Sequence, residues 1–118
     1  MTLSVYVDGS GGSSSGFGFF VKETGESFYK EEPNITNNQA EYLAIIGVLK
    51  RFSDSKDEIT IYSDSKNTVS QLNHEYAINN PELRALAMEA WNLISKYSNL
   101  KIKWIPREKN LAGKMLGS

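Results

Sequence analysis

The sequence predicts an α/β layered fold, a five-stranded mixed sheet of three antiparallel strands followed by two parallel ones, flanked by helices. Three observations predict it. Short alternating apolar segments separated by turn residues fill the first 31 positions, a long amphipathic segment follows at 36–52, and strand-like and helix-like stretches then alternate to the end. Strand–helix–strand units need right-handed crossovers. The strand at 58–63 is therefore expected parallel to the first strand, and the one at 100–105 parallel to its neighbour.

Taken in order, residues 3–8 alternate Leu3, Val5 and Val7 with Ser4, Tyr6 and Asp8, the period of a half-buried strand. Residues 9–16, GSGGSSSG, are too poor in apolar side chains to pack and read as a tight hairpin loop whose glycines permit positive φ. Residues 17–22 and 26–31 flank Glu23, Thr24 and Gly25 as a second hairpin, closed by Pro33. The segment 36–52, TNNQAEYLAIIGVLKRF, has an apolar side wide enough to lie on a sheet, and Thr36 or Asn37 can cap it. After a polar connection, residues 58–64 form another strand, and 65–73 a short helix capped by Asp64 or Ser65 with Val69 and Leu72 inward. Asn80 caps and Pro81 opens a helix running to Tyr97. Residues 100–105 are the last strand, with Trp104, like Trp91 on the preceding helix, expected to face the core. The tail supports only a short helix interrupted by Gly113.

At 118 residues and 13.2 kDa, with 40% apolar residues, the chain fits one domain over 1–118. A net charge of −1 and a pI near 5.8 lack the basic excess of most nucleic-acid binders, so any grip on a polyanion must come from local geometry. The absence of Cys excludes disulfides, thiolate metal sites and thiol catalysis. The opening MTLSVYVDG turns polar too quickly for a signal peptide, and no run approaches the roughly 20 apolar residues of a membrane span. A cytoplasmic monomer without membrane contact is expected.

Parallel strands gather functional groups at their carboxyl ends, where Asp8 and Asp64 stand. Glu41 lies one turn inside the long helix and joins them if that helix starts near the strand ends. Each acid alone has an ordinary reading: Asp8 as a turn residue, Asp64 as a helix cap, Glu41 as a complement to the positive helix end. Together, three close carboxylates stay ionised only beside a cation. An all-oxygen donor set selects Mg²⁺ or Mn²⁺, and a pair of such ions is the recurring apparatus of phosphodiester hydrolysis.

These residues also stand in motifs. DGS at 8–10, TNNQAE at 36–41, SDS at 63–65 and WIPREKN at 104–110 resemble, in order and spacing, type 1 ribonuclease H over essentially the whole chain. The resemblance implies a ribonuclease H-like fold and a metal-dependent endoribonuclease that cuts the RNA strand of RNA–DNA hybrids. By position it implies Asp8, Glu41 and Asp64 as catalytic metal ligands for two Mg²⁺ or Mn²⁺ ions. Thr36, Asn37, Asn38 and Gln39 would line the minor groove and phosphates, with Gly9 and Ser10 presenting backbone near the RNA. Neutral amides can read 2′-hydroxyls and base edges in a wide, shallow groove without choosing a sequence, so little sequence specificity is expected.

The chain also departs from the family pattern. Lys114 occupies the place of the family's fourth carboxylate, which leaves that ligand absent, replaced by water or Glu108, or supplied from elsewhere. Arg107 and Glu108 stand where many members carry a mobile His, and Arg107 either grips a phosphate or forms a surface ion pair. The basic, Trp-bearing protrusion of many members is reduced to residues 74–80, and His74 is assigned no chemistry. Besides the active nuclease, two alternatives stand: a hybrid-binding module impaired at Lys114, and another metal nuclease on the same scaffold.

Overall fold

Alternating Leu3, Val5 and Val7 give the first strand one face to bury. In the computed structural model, which describes residues 2–12 and 15–115 and the last two of these through their backbone only, it forms β1, Thr2–Ser10. Then come β2 (Gly16–Val21), β3 (Ser27–Glu31), α1 (Asn37–Arg51), β4 (Glu58–Ser63), α2 (Lys66–Leu72), α3 (Pro81–Ile94), β5 (Leu100–Trp104) and α4 (Leu111–Met115), with a 3-10 turn at Arg107–Lys109. The sheet order is β3-β2-β1-β4-β5. β1–β2 and β2–β3 pair antiparallel, β1–β4 and β4–β5 parallel, as the crossover argument requires.

α1 packs on β1 and β2, with α3 behind it. Tyr42, Ile45, Val48 and Leu49 of α1 meet Val5, Val7, Val21, Ile59 and Ile61 in the core. Local chemistry sets the helix starts. The Thr36 side chain accepts from the Gln39 backbone N–H (3.0 Å) while the Gln39 side chain accepts from that of Thr36 (2.8 Å), a reciprocal capping box. Ser65 caps α2, and Asn80 with Pro81 starts α3.

Several expectations change. Gly9 and Ser10 belong to β1 rather than to a loop, because the β1–β2 ladder continues to the Ser10–Gly16 pair; positive φ is confined there to Gly12 (104°) among the described residues. α3 ends at Ile94 instead of Tyr97, and α4 runs through Gly113 without a break. Trp104 is not in the core. It is 46% exposed at the end of edge strand β5, where its indole N–H donates to the Asp64 carbonyl (3.1 Å) and Lys66 lies over its ring. Trp91 is partly buried against the core, its ring stacked on His74. No helix among the described residues is long and apolar enough to cross a membrane.

Candidate active site

The parallel register of β1 and β4 pairs Tyr6 with Tyr62, so Asp8 and Asp64, each two residues further on, leave adjacent strands side by side. Glu41 arrives from above because Gly9 lets α1 settle onto β1. A Cβ on Gly9 would come within 2.6 Å of the Ala40 carbonyl carbon, a backbone atom that cannot step aside. Gly11 works likewise: a Cβ there would lie 2.7 Å from the Ile35 carbonyl, and its N–H donates to Asn37 Oδ1 at 2.5 Å. As a result Asp8, Glu41 and Asp64 each offer a carboxylate oxygen within 4.8 Å of the others.

Hydrogen bonds aim these carboxylates. Glu41 Oε1 accepts from the Gly9 N–H (3.2 Å) and Oε2 from the Ser63 hydroxyl (3.1 Å). Asp64 Oδ2 accepts from the Asn110 amide (2.9 Å), which also donates to the Val7 carbonyl (2.8 Å) while its oxygen receives the Ala112 N–H (3.0 Å). One buried Asn thus ties the last turn of chain to β1 and orients Asp64. Burial, with the charges of Asp64 and Asp8, pushes the Glu41 carboxyl up to about 8 against the opposing pull of Ser63 and Gly9. Carboxylates this close resist simultaneous ionisation, and a hard divalent cation is the partner that their all-oxygen donor set fits.

The other sequence-derived candidates lie around this cluster in different ways. Gly9 and Ser10 form the end of β1 beside it. Asn37 and Asn38 are exposed at the start of α1. Thr36 and Gln39 build the capping box, and the Gln39 amide also donates to Glu82 of α3 (2.7 Å), so both ends of that side chain are engaged within the protein. Arg107 and Glu108 are exposed on the 3-10 turn. The side chain of Lys114 lies outside the described residues.

Ser63 and Asn110 were not singled out individually from the sequence. Their signal was faint. Ser63 falls on the inward-facing register of its strand, and Asn110 closes the WIPREKN motif, but their partners lie 22 and 46 residues away in the chain.

With this geometry in view, a family model described as reverse transcriptase-like matches residues 20–117. The chain belongs to this family. The match includes Glu41 and Asp64 and agrees with the resemblance to type 1 ribonuclease H drawn from the motifs. Ribonuclease HI of Halobacterium salinarum is 34% identical over 97 residues, 81% of this chain and 47% of that protein, so the chain spans about half that relative's length. The crystal structure of RNase H1 from the same archaeon superposes with a TM-score of 0.87 at 27% identity, covering 98% of this chain and 94% of that one. LC11-RNase H1, isolated from compost and solved in complex with an RNA/DNA hybrid, gives a TM-score of 0.84 at 24% identity, covering 97% and 92%; at that identity the likeness establishes the fold. Family and sheet topology therefore agree, and the carboxylate cluster stands where two parallel strands of this fold end.

Proposed function

We propose that this protein is a metal-dependent endoribonuclease that hydrolyses the RNA strand of RNA–DNA hybrids with little sequence specificity. The observation that carries the reading is the convergence of Asp8, Glu41 and Asp64 within 4.8 Å, in a family that includes ribonuclease HI. Asp8, Glu41 and Asp64 would hold Mg²⁺ or Mn²⁺, two ions when substrate is present. Such ions supply activation of a water nucleophile and stabilisation of the leaving oxygen. The chain's own residues keep the site ready for them. Ser63 and the Gly9 N–H hold Glu41 in its rotamer, and Asn110 holds Asp64.

The hybrid would lie across the open side of the cluster. The Gly9 and Ser10 backbone would meet the RNA strand, exposed Asn37 and Asn38 would read 2′-hydroxyls and base edges, and Arg107 would reach a phosphate. Thr36 and Gln39 would contribute by fixing where that helix start sits. The reading treats 1–118 as one ribonuclease H-like domain acting in the cytoplasm.

Labelled hybrid, duplex DNA and RNA, incubated with Mg²⁺ or Mn²⁺ and run on a gel, test this reading. Asp8→Asn and Glu41→Gln should each lower hybrid cleavage by on the order of 100-fold or more. Undiminished cleavage in either variant removes the assigned site. Lys114 at the place of the family's fourth carboxylate favours one second reading, a module that holds hybrids without cutting them. Binding without turnover in the native chain, with turnover in Lys114→Asp, would select it.

A further inference from the structure

The far edge of the sheet carries features that hybrid cleavage does not use. All five residues of edge strand β3 are exposed, and Phe28 and Tyr29 leave 42% and 50% of their surface in water. Hydrogen bonds from Val21 N–H to the Glu26 carbonyl (2.8 Å) and from Glu32 N–H to the Ser15 carbonyl (3.0 Å) bracket the β2–β3 ladder. Inward and outward backbone groups alternate in such a ladder. Glu26, Phe28 and Lys30 therefore bond toward β2, while the N–H and C=O groups of Ser27, Tyr29 and Glu31 point away from the sheet. β3 has neither proline nor bulge to blunt that edge.

Side chains alternate as well. Phe28 stacks on core residue Phe19 (ring centroids 5.5 Å apart), and Glu26 takes two hydrogen bonds from Arg51 of α1 (2.7 and 2.9 Å). Glu26, Phe28 and Lys30 thus share the face toward α1. Between Phe28 and α1 runs a groove of 390 Å³ lined by Phe19, Phe28, Gly47, Lys50 and Arg51, and a Cβ on Gly47 would meet nothing within 4 Å. The groove has room for another aromatic ring.

We propose that β3 pairs antiparallel with β3 of a second copy of the chain, about a two-fold axis through Phe28, extending the sheet across both molecules. In this register Ser27 exchanges backbone hydrogen bonds with Tyr29 of the second copy, which uses the groups that point outward. Phe28 faces Phe28 over the groove, and Glu26 lies across from Lys30 at two symmetric positions. Charges favour this register over the neighbouring one. Pairing about Tyr29 also matches outward groups, but it sets Glu26 against Glu32 and Lys30 against Phe28, and both ion pairs are lost. Pairing about a point between Phe28 and Tyr29 would oppose outward groups with inward ones. A lysine on an edge ordinarily discourages association; in the register about Phe28 each Lys30 is instead met by Glu26 of the second copy. The pairing replaces the monomer expected from the sequence.

A five-residue strand pair is a small interface, so the dimer should be weak, with a Kd on the order of 10 μM to 100 μM. Sedimentation velocity over a concentration series should show the mass rising from 13.2 kDa toward twice that value. Lys30→Glu and Glu26→Lys each place like charges across both pairs, and each should weaken association by about tenfold. Mixed in equal amounts, the two variants regain opposite charges at both positions and should form a heterodimer. Circular dichroism of each variant confirms that it is folded. Recovery of association on mixing supports the proposal. A native chain that stays monomeric to about 1 mM, a dimer that Lys30→Glu leaves intact, or variants that fail to rescue one another overturn it; the first outcome would leave the edge to a strand from a different protein.

Discussion

Glu41 and Tyr42 are consecutive on α1, both almost wholly buried at 6% and 0% exposure, and both harder to ionise than in water, with pKa values pushed up to about 8 and about 12. Their surroundings differ. The Tyr42 hydroxyl donates to Gln71 Oε1 at 2.7 Å, and burial alone raises its pKa. It is neutral, satisfied and part of the core. Glu41 is also hydrogen-bonded, yet the charges of Asp64 and Asp8 add to its burial, and two donors do not offset them. A helix can bury a polar group at little cost when one partner completes it. A third carboxylate among two others is completed only by a proton or a cation.

The sharpest way to break this contrast is to titrate it. In the unfolded chain Glu41 loses its proton near 4.5, whereas in the metal-free fold it keeps it to about 8. Between those values the folded state binds the extra proton, so stability should fall as pH rises, by at most about 1.4 kcal/mol per pH unit. Thermal unfolding in chelator across that window should show the slope, Glu41→Gln should flatten it, and added Mn²⁺ should raise the melting temperature most at the alkaline end. A native profile that is flat in chelator would place Glu41 outside a charged cluster. Asn110→Ala should come next in size. It strands the buried Val7 carbonyl and frees Asp64, and should cost about 2 to 3 kcal/mol in denaturant unfolding while lowering hybrid cleavage. The smallest effect belongs to the control, Tyr42→Phe. Loss of one buried hydroxyl should cost about 1 to 2 kcal/mol, with cleavage unchanged and the pH slope intact. A pH slope that vanished in this variant would show that the two residues are one coupled unit.

Much of this fold was legible from periodicity. The alternation in β1, the capping signals of α1 and α3, and the crossover rule were enough to order the elements and to set Asp8 beside Asp64. What misled was the outer part of each element. GSGGSSSG reads as loop because its residues carry no apolar pattern, yet β1 continues through Gly9 and Ser10: the missing side chain of Gly9 leaves room for Ala40, while the ladder to β2 supplies the strand. Trp104 alternates with lysines as a core residue would. It stands at the end of an edge strand with one side open, which alternation cannot reveal.

Residue types and spacing by themselves determined which acids could meet and what kind of ion would suit them, because strand ends and helix starts are local properties of the chain. Only the tertiary structure decided how those acids are held. Ser63 and Asn110 act through side-chain hydrogen bonds to residues remote in sequence, and the Gln39 amide reaches across to Glu82 of α3 in the same way. Such bonds depend on distances of about 3 Å between elements, a scale that appears only once the helices have packed on the sheet.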